Sequence, residues 1–116
     1  MNFQDWCFNT ERESHWFPRI TCEDGFSFSC QASTFNYCEP REDHPYPFFY
    51  SEFELGYPSE ADEDIMAYAE SPDEPTETVY GYVPKEVVEY LVEKHGGITT
   101  SKSRSKLKNW AFEFGF

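Results

Sequence analysis

Apolar and polar positions alternate most clearly in residues 18–31, PRITCEDGFSFSCQ, on either side of Glu23-Asp24-Gly25. A three-residue loop with Gly25 in the left-handed bulge position pairs Cys22 with Phe26, Ile20 with Phe28 and Pro18 with Cys30, so that every apolar residue falls on one face. Arg19, Thr21, Ser27 and Ser29 take the other face. A two-residue Asp24-Gly25 turn would set Ile20 and Cys22 opposite serines, so the pattern selects the longer loop.

Alternation resumes over residues 48–57, FFYSEFELGY, with Phe49, Ser51, Phe53 and Leu55 on one side and Tyr50, Glu52 and Glu54 on the other. This predicts a strand with one acidic face, ended by Pro58. Ser59 then suits the cap of a helix over 59–70, with Asp62 at its third position. Ala61, Ile65, Tyr68 and Ala69 would form its buried stripe, leaving Glu60, Asp62, Glu63 and Asp64 outside. An acidic loop, SPDEPTET, leads into the short strand VYGYV, where Gly81 marks a bulge or a close approach. Pro84 suits the first turn of a helix reaching about His95, with Val87, Val88, Leu91 and Val92 inward and Gly96 and Gly97 as its stop.

The remaining segments read less clearly. Residues 1–17 carry Phe3, Trp6, Phe8, Trp16 and Phe17 without a helical or strand period, which predicts a short element of unassigned type with its rings in the core. The stretch ASTFNYCEPREDHPYP is broken by three prolines. Residues 94–108 hold five Lys or Arg and no acid, predicting a flexible basic segment or one that folds back over the acids. The terminal WAFEFGF places Trp110, Phe112, Phe114 and Phe116 on one side and predicts a last strand or a partner contact. The fold class expected is α+β, a single domain over 1–116: an antiparallel sheet of four to five strands carrying two helices.

Composition sharpens this picture. With 12 Phe, 8 Tyr and 3 Trp, the core is expected to be built from rings. The net charge of -13 opposes nucleic acids and anionic membranes and favours basic protein surfaces. No apolar run is long enough for a membrane span, and MNFQDWCFNTERES lacks a basic start and apolar block, so a cytoplasmic location is expected. Cys7, Cys22, Cys30 and Cys38 would then be thiols. They contain no CxxC pair, so even with His15 and His44 nearby they read as small hydrophobes rather than metal ligands. Cys38 and His44 suggest a nucleophile and base only superficially, because nothing orients the histidine. No catalytic residue, metal site or cofactor is predicted, and the chain reads as a non-enzyme.

The charge is concentrated in residues 42–84, which hold twelve carboxylates and no Lys or Arg. A solvated face usually mixes both signs, because like charges repel. The plain reading of this field is solubility, since acidic surfaces are common and aid colloidal stability. The sharper reading is a surface that replaces nucleic-acid phosphates against a basic groove. The candidate partner-binding residues are Glu52, Glu54, Glu60, Asp62, Glu63, Asp64, Asp73 and Glu74, with Tyr57 and Tyr68 as ring anchors. Tyr50, Tyr80 and Tyr82 are interspersed among the acids, the last two serving equally well as core.

The segments DGFSFSCQAS, YCEPRED, LGYPS and PTETVYGYVPKEVVEYLVEKHGG resemble a family of small bacteriophage proteins. In these a hairpin, a YCxPR segment, a GYPS turn and a TVYGYVP-helix unit recur. The likeness covers residues 24–97 and implies no catalytic residues. It implies a role in host takeover, and with the charge it points to an anti-defence inhibitor, such as an anti-CRISPR protein or restriction inhibitor. The partner expected is a basic host protein, a CRISPR effector or restriction nuclease, with no direct DNA binding by the acidic face. The alternatives are an interaction module, homodimeric or heteromeric, acting through an aromatic interface formed by WAFEFGF or the rings of residues 46–57, and a cysteine-based metal or redox protein.

Overall fold

The computed structural model describes residues 1–100; the expectations for WAFEFGF and for the basic segment beyond Thr100 lie outside the described residues. The elements run α1 (Phe3–Asn9), β1 (Ile20–Thr21), β2 (Ser27–Gln31), β3 (Glu52–Gly56), β4 (Val79–Pro84) and α2 (Lys85–Lys94), with single 3-10 turns at Pro47–Phe49 and Met66–Tyr68. The four strands form one antiparallel sheet in the order β1-β2-β3-β4, an α+β arrangement with two helices.

The β1–β2 hairpin has the expected register. Ile20 pairs with Phe28, Thr21 with Ser27, and the Cys22 N–H donates to the Phe26 carbonyl at 2.8 Å. Gly25 sits at φ +96°, and the Asp24 carboxylate accepts the Phe26 N–H at 2.9 Å. Ile20, Cys22, Phe26, Phe28 and Cys30 are buried on one face. The ladder does not extend to Pro18 and Cys30. Pro18 has no N–H to give, and the buried Gln31 side chain closes the sheet instead, accepting from the Phe17 N–H at 2.9 Å and donating to the Phe17 carbonyl at 2.8 Å.

Two expected elements differ. The strand over 48–57 begins only at Glu52, because Pro47–Phe49 forms a 3-10 turn that rotates the chain before the ladder starts. Tyr50 is therefore buried and Phe49 exposed, the reverse of the alternation. The Tyr50 hydroxyl donates to the Glu42 carbonyl at 2.6 Å and accepts from the His44 N–H at 2.8 Å.

The helix expected over 59–70 is not formed; only the Met66–Tyr68 turn is helical. Ser59 does not cap. Its N–H donates to the Ser27 carbonyl at 2.8 Å and its hydroxyl accepts the Ser27 N–H at 3.0 Å, tying it to β2. Asp62 accepts the Asp64 N–H at 2.9 Å, a local side-chain bond that competes with helix. Adjacent like charges on Asp62, Glu63 and Asp64 would gain nothing from helical packing.

The first helix lies instead at the start of the chain. Asn2 caps α1, its side chain accepting the Asp5 N–H at 2.7 Å, and Phe3, Trp6 and Cys7 face inward. Phe8 and Trp16, expected in the core, are 55% and 60% exposed. The core joins α1, the sheet and α2 through rings: Phe3 stacks on Trp6 at 5.5 Å and meets Phe53 edge-on at 5.4 Å, while Trp6 meets Phe17 at 6.2 Å. Burying each Phe stabilises by roughly 1.5–3 kcal/mol, so few aliphatic residues are needed. Arg12 stands over Phe17 at 4.1 Å and donates to the His44, His15 and Ala32 carbonyls and the Tyr50 hydroxyl, fastening residues 12–17 to two loops.

In β4, Phe53 pairs with Val83 but Leu55 with Tyr80, so Gly81 and Tyr82 together oppose Glu54 in a bulge. The Tyr82 N–H turns out to the Tyr37 carbonyl at 3.0 Å, and a Cβ on Gly81 would lie 3.2 Å from the Tyr37 Cβ. Both readings of Gly81 thus hold together. Helix α2 buries Val88, Leu91 and Val92, with Val87 half-buried and Pro84 at its N-cap. It ends in a Schellman motif: the Gly97 N–H donates to the Val92 carbonyl at 2.9 Å and the Gly96 N–H to the Glu93 carbonyl at 3.0 Å.

Candidate functional site

The Schellman end of α2 positions the densest charge cluster among the described residues. Gly96 and Gly97 at φ +92° and +91° turn the chain back against the hairpin loop, where the Glu23 N–H donates to the Gly97 carbonyl at 2.9 Å. Lys94 and His95 then face three carboxylates. Lys94 Nζ donates to Asp62 Oδ1 at 2.9 Å and also to Asp64. His95 Nδ1 lies 2.6 Å from Asp24 Oδ2 and Nε2 lies 2.8 Å from Asp62 Oδ2, with the ring stacked on Phe26 at 4.0 Å.

Two carboxylates, one on each ring nitrogen, select the doubly protonated imidazolium. Burial opposes that charge, but the hydrogen bonds to Asp62 and Asp24 outweigh it and leave the His95 pKa raised. For Asp62 the balance is similar. Burial pushes its pKa up, and bonds from Lys94, His95 and the Asp64 N–H bring it below the usual carboxylate value. Burial also works against the Lys94 charge, and Asp62 and Asp64 reverse the effect and raise its pKa. Asp24 is lowered by the Phe26 N–H first and by His95 second. Every titratable group here has a partner of opposite charge. The cluster is a clamp that fastens residues 62–64 to α2 and to the hairpin.

This clamp divides the predicted partner-binding residues. Asp62, expected on the outside, is 6% exposed and committed to Lys94 and His95; Asp64 is half-buried and shares Lys94. Neither offers a free charge. Glu60, Glu63, Asp73 and Glu74 are exposed, as are Glu70 and Glu77, and none of the six forms an ion pair with a described residue. Their backbone is well tied. The Glu70 N–H donates to the Val79 carbonyl at 2.9 Å, the Glu74 N–H to Ser71 and the Glu77 N–H to Glu74, both at 2.9 Å, and the buried Tyr80 donates its hydroxyl to the Pro75 carbonyl at 2.5 Å.

Glu52 and Glu54 do not join that group. Glu52 pairs with Pro84, at the end of β3 remote from Gly56 and Val79. Four residues of strand separate those ends, about 13 Å. Glu54 is half-buried and accepts the Tyr37 N–H at 2.8 Å. Of the ring anchors, Tyr57 is exposed at φ +50°, its carbonyl held by Arg19 at 2.7 Å, and Tyr68 is half-buried against the core. Sequence reasoning placed Lys94 and His95 correctly in the last turn of a helix but missed their partners, since Asp24 and Asp62 lie 71 and 33 residues from His95.

All four cysteines are buried thiols. Burial pushes Cys7 up to about 12 and Cys22 to about 11, and raises Cys30 and Cys38 as well, so each is a poor nucleophile. Cys38 directs its thiol at the Ser33 and Pro40 carbonyls, whereas His44 pairs with Glu42 at 2.8 Å. No group of three metal-binding side chains is gathered among the described residues. No helix among them is long and apolar enough to cross a membrane. Compared with protein-family models, curated proteins and solved structures, the chain matches none.

Proposed function

We propose that this protein is a non-enzymatic inhibitor that occupies the basic nucleic-acid groove of a host defence nuclease, a CRISPR effector in the first instance. The observation that supports the reading is the group Glu60, Glu63, Glu70, Asp73, Glu74 and Glu77, six exposed carboxylates without a cation among the described residues. They stand on backbone pinned to β2 and β4, so little ordering entropy is lost when they meet a rigid groove. Lys and Arg in that groove would exchange phosphates for carboxylates. Competition with DNA or guide RNA follows, and no bond is made or broken. The resemblance to bacteriophage proteins directs the choice of target and of compartment, the host cytoplasm. Asp62 and Asp64 act in this scheme by holding the surface, not by touching the partner.

The test is a binding and cleavage assay against CRISPR effectors and restriction nucleases at low and high salt. Inhibition should fall as ionic strength rises, because the Debye length shrinks to about 8 Å at 0.15 M salt and further above it. Joint reversal of Glu60, Glu63, Asp73 and Glu74 to Lys should abolish it. Inhibition that survives this reversal would sink the reading.

A further inference from the structure

A second surface lies toward the other end of the sheet. Phe8 of α1 stacks on Phe48 at 5.0 Å, Phe48 on Phe49 at 4.4 Å, and Phe49 on His44 at 4.6 Å, with interplanar angles of 21°, 25° and 23°. Tyr46 lies beside this column, 5.7 Å from Phe48. The three phenylalanines remain 55%, 40% and 46% exposed, so the column is built but uncovered among the described residues. Its footing is fixed by the 3-10 turn Pro47–Phe49, with the Tyr50 N–H donating to the Pro47 carbonyl at 3.0 Å.

Carboxylates flank the rings, and one cation, Lys85, lines the cleft beside Phe8 and Phe48 together with Glu89. Glu42 Oε1 meets His44 Nε2 at 2.8 Å, and Glu11 Oε2 accepts the Tyr46 hydroxyl at 2.8 Å. In each case the second carboxylate oxygen carries no bond among the described residues. We propose that this ring column, with Glu11 and Glu42, is a docking surface for arginine side chains of a protein partner. A guanidinium is planar and weakly hydrated; it can stack on the face of Phe8 that Phe48 leaves uncovered at the end of the column, pack along the exposed edges of Phe48 and Phe49, and still present N–H donors to the carboxylates. A lysine ammonium does the last but stacks poorly. Nucleobases would stack equally well, but their phosphates would approach Glu11, Glu42 and a chain of net charge -13. A second copy of the chain would bring the same net charge, and its basic segment 94–108 holds a single arginine, Arg104. Arginine on a basic protein is the occupant that satisfies both the rings and the acids. The surface is separate from Glu60–Glu77 and does not rest on the inhibitor reading.

The experiment is an NMR titration of the isotope-labelled full chain with an arginine hexapeptide and, separately, a lysine hexapeptide. The arginine peptide is expected to bind tighter, by at most the roughly 3- to 30-fold that an exposed to a desolvated cation–ring contact is worth. The shifts should centre on Phe8, His44, Phe48 and Phe49. Phe48→Ala with Phe49→Ala should erase the preference. Glu11→Gln with Glu42→Gln, which leaves the rings intact, should weaken arginine binding in protein whose fold is unchanged. Reversal of Glu60, Glu63, Asp73 and Glu74 should weaken both peptides alike and keep the preference, which separates this surface from the inhibitor site. Equal binding of the two peptides, a preference that survives removal of both rings, or shifts confined to residues 60–77 would overturn the proposal. So would self-association of the free protein through the same rings.

Discussion

Asp62 and Glu63 are neighbours with the same charge, yet one is buried in a network of three carboxylates and two cations and the other stands in solvent. The same division separates Asp64 from Glu60. An acidic run is therefore two kinds of residue: those that hold the segment to α2 and the hairpin, and those that the segment then displays. The first kind belongs to stability, the second to binding, and mutations should sort them cleanly.

The largest expected effect is at the clamp. Asp62→Ala should destabilise the protein by about 2–3 kcal/mol in urea denaturation, below the roughly 3–5 kcal/mol of a fully buried pair because Lys94 keeps 30% of its side chain exposed. Glu63→Ala should change stability by no more than about 0.5 kcal/mol. Comparable losses for the two would erase the distinction between them.

Next is the cap. Gly96→Ala must hold φ +92° and bring a Cβ to 3.2 Å from the Glu23 Cβ, so it should cost about 1 kcal/mol or more and loosen His95 from Asp24. The imidazole resonance of His95 would report the loosening directly.

The pH dependence sharpens the comparison further. The folded pKa of His95 is raised, so its contribution is fully present below its ordinary value of 6.5 and is lost as pH rises through the folded pKa. For Asp62 the folded pKa is lowered, so its contribution is present above the ordinary 3.8 and is lost as pH falls through the folded pKa. The clamp is strongest between those limits. Denaturation across pH should show stability declining as pH rises from 6.5 through the raised folded pKa of His95, and His95→Gln should remove that decline. A slope unchanged by His95→Gln would show that the imidazolium is not what the two carboxylates hold. The smallest stability effect is expected at the displayed acids: Asp73→Asn with Glu74→Gln should leave the denaturation midpoint nearly unmoved while weakening salt-sensitive partner binding.

Legibility in the sequence followed the range of the interactions. The β1–β2 hairpin was readable because Gly25, the alternation of Ile20, Cys22, Phe26 and Phe28, and the facing serines all lie within a dozen residues. Helix α2 was readable for the same reason, from Pro84 to the Gly96-Gly97 stop. The expected helix over 59–70 failed because Ser59 is used by β2 and Asp62 by α2, partners more than thirty residues away. Tyr50 and Phe49 exchanged places because a 3-10 turn, not a strand, precedes β3. Hydrophobicity alone points Trp16 and Phe8 to the core, but apolar character cannot tell a core ring from one on the surface.

By itself the sequence determined an α+β domain with a ring-built core, the hairpin register, the second helix and its stop, and a stretch of carboxylates without cations. Those features depend on local backbone preference and short-range pattern. Only the tertiary structure decided which carboxylates are spent on Lys94 and His95, that Gln31 completes the sheet for Pro18, and that Phe8, Phe48, Phe49 and His44 form one column. Each of these joins residues far apart in the chain, and charge pairing and ring stacking depend on distance in space, which packing alone sets.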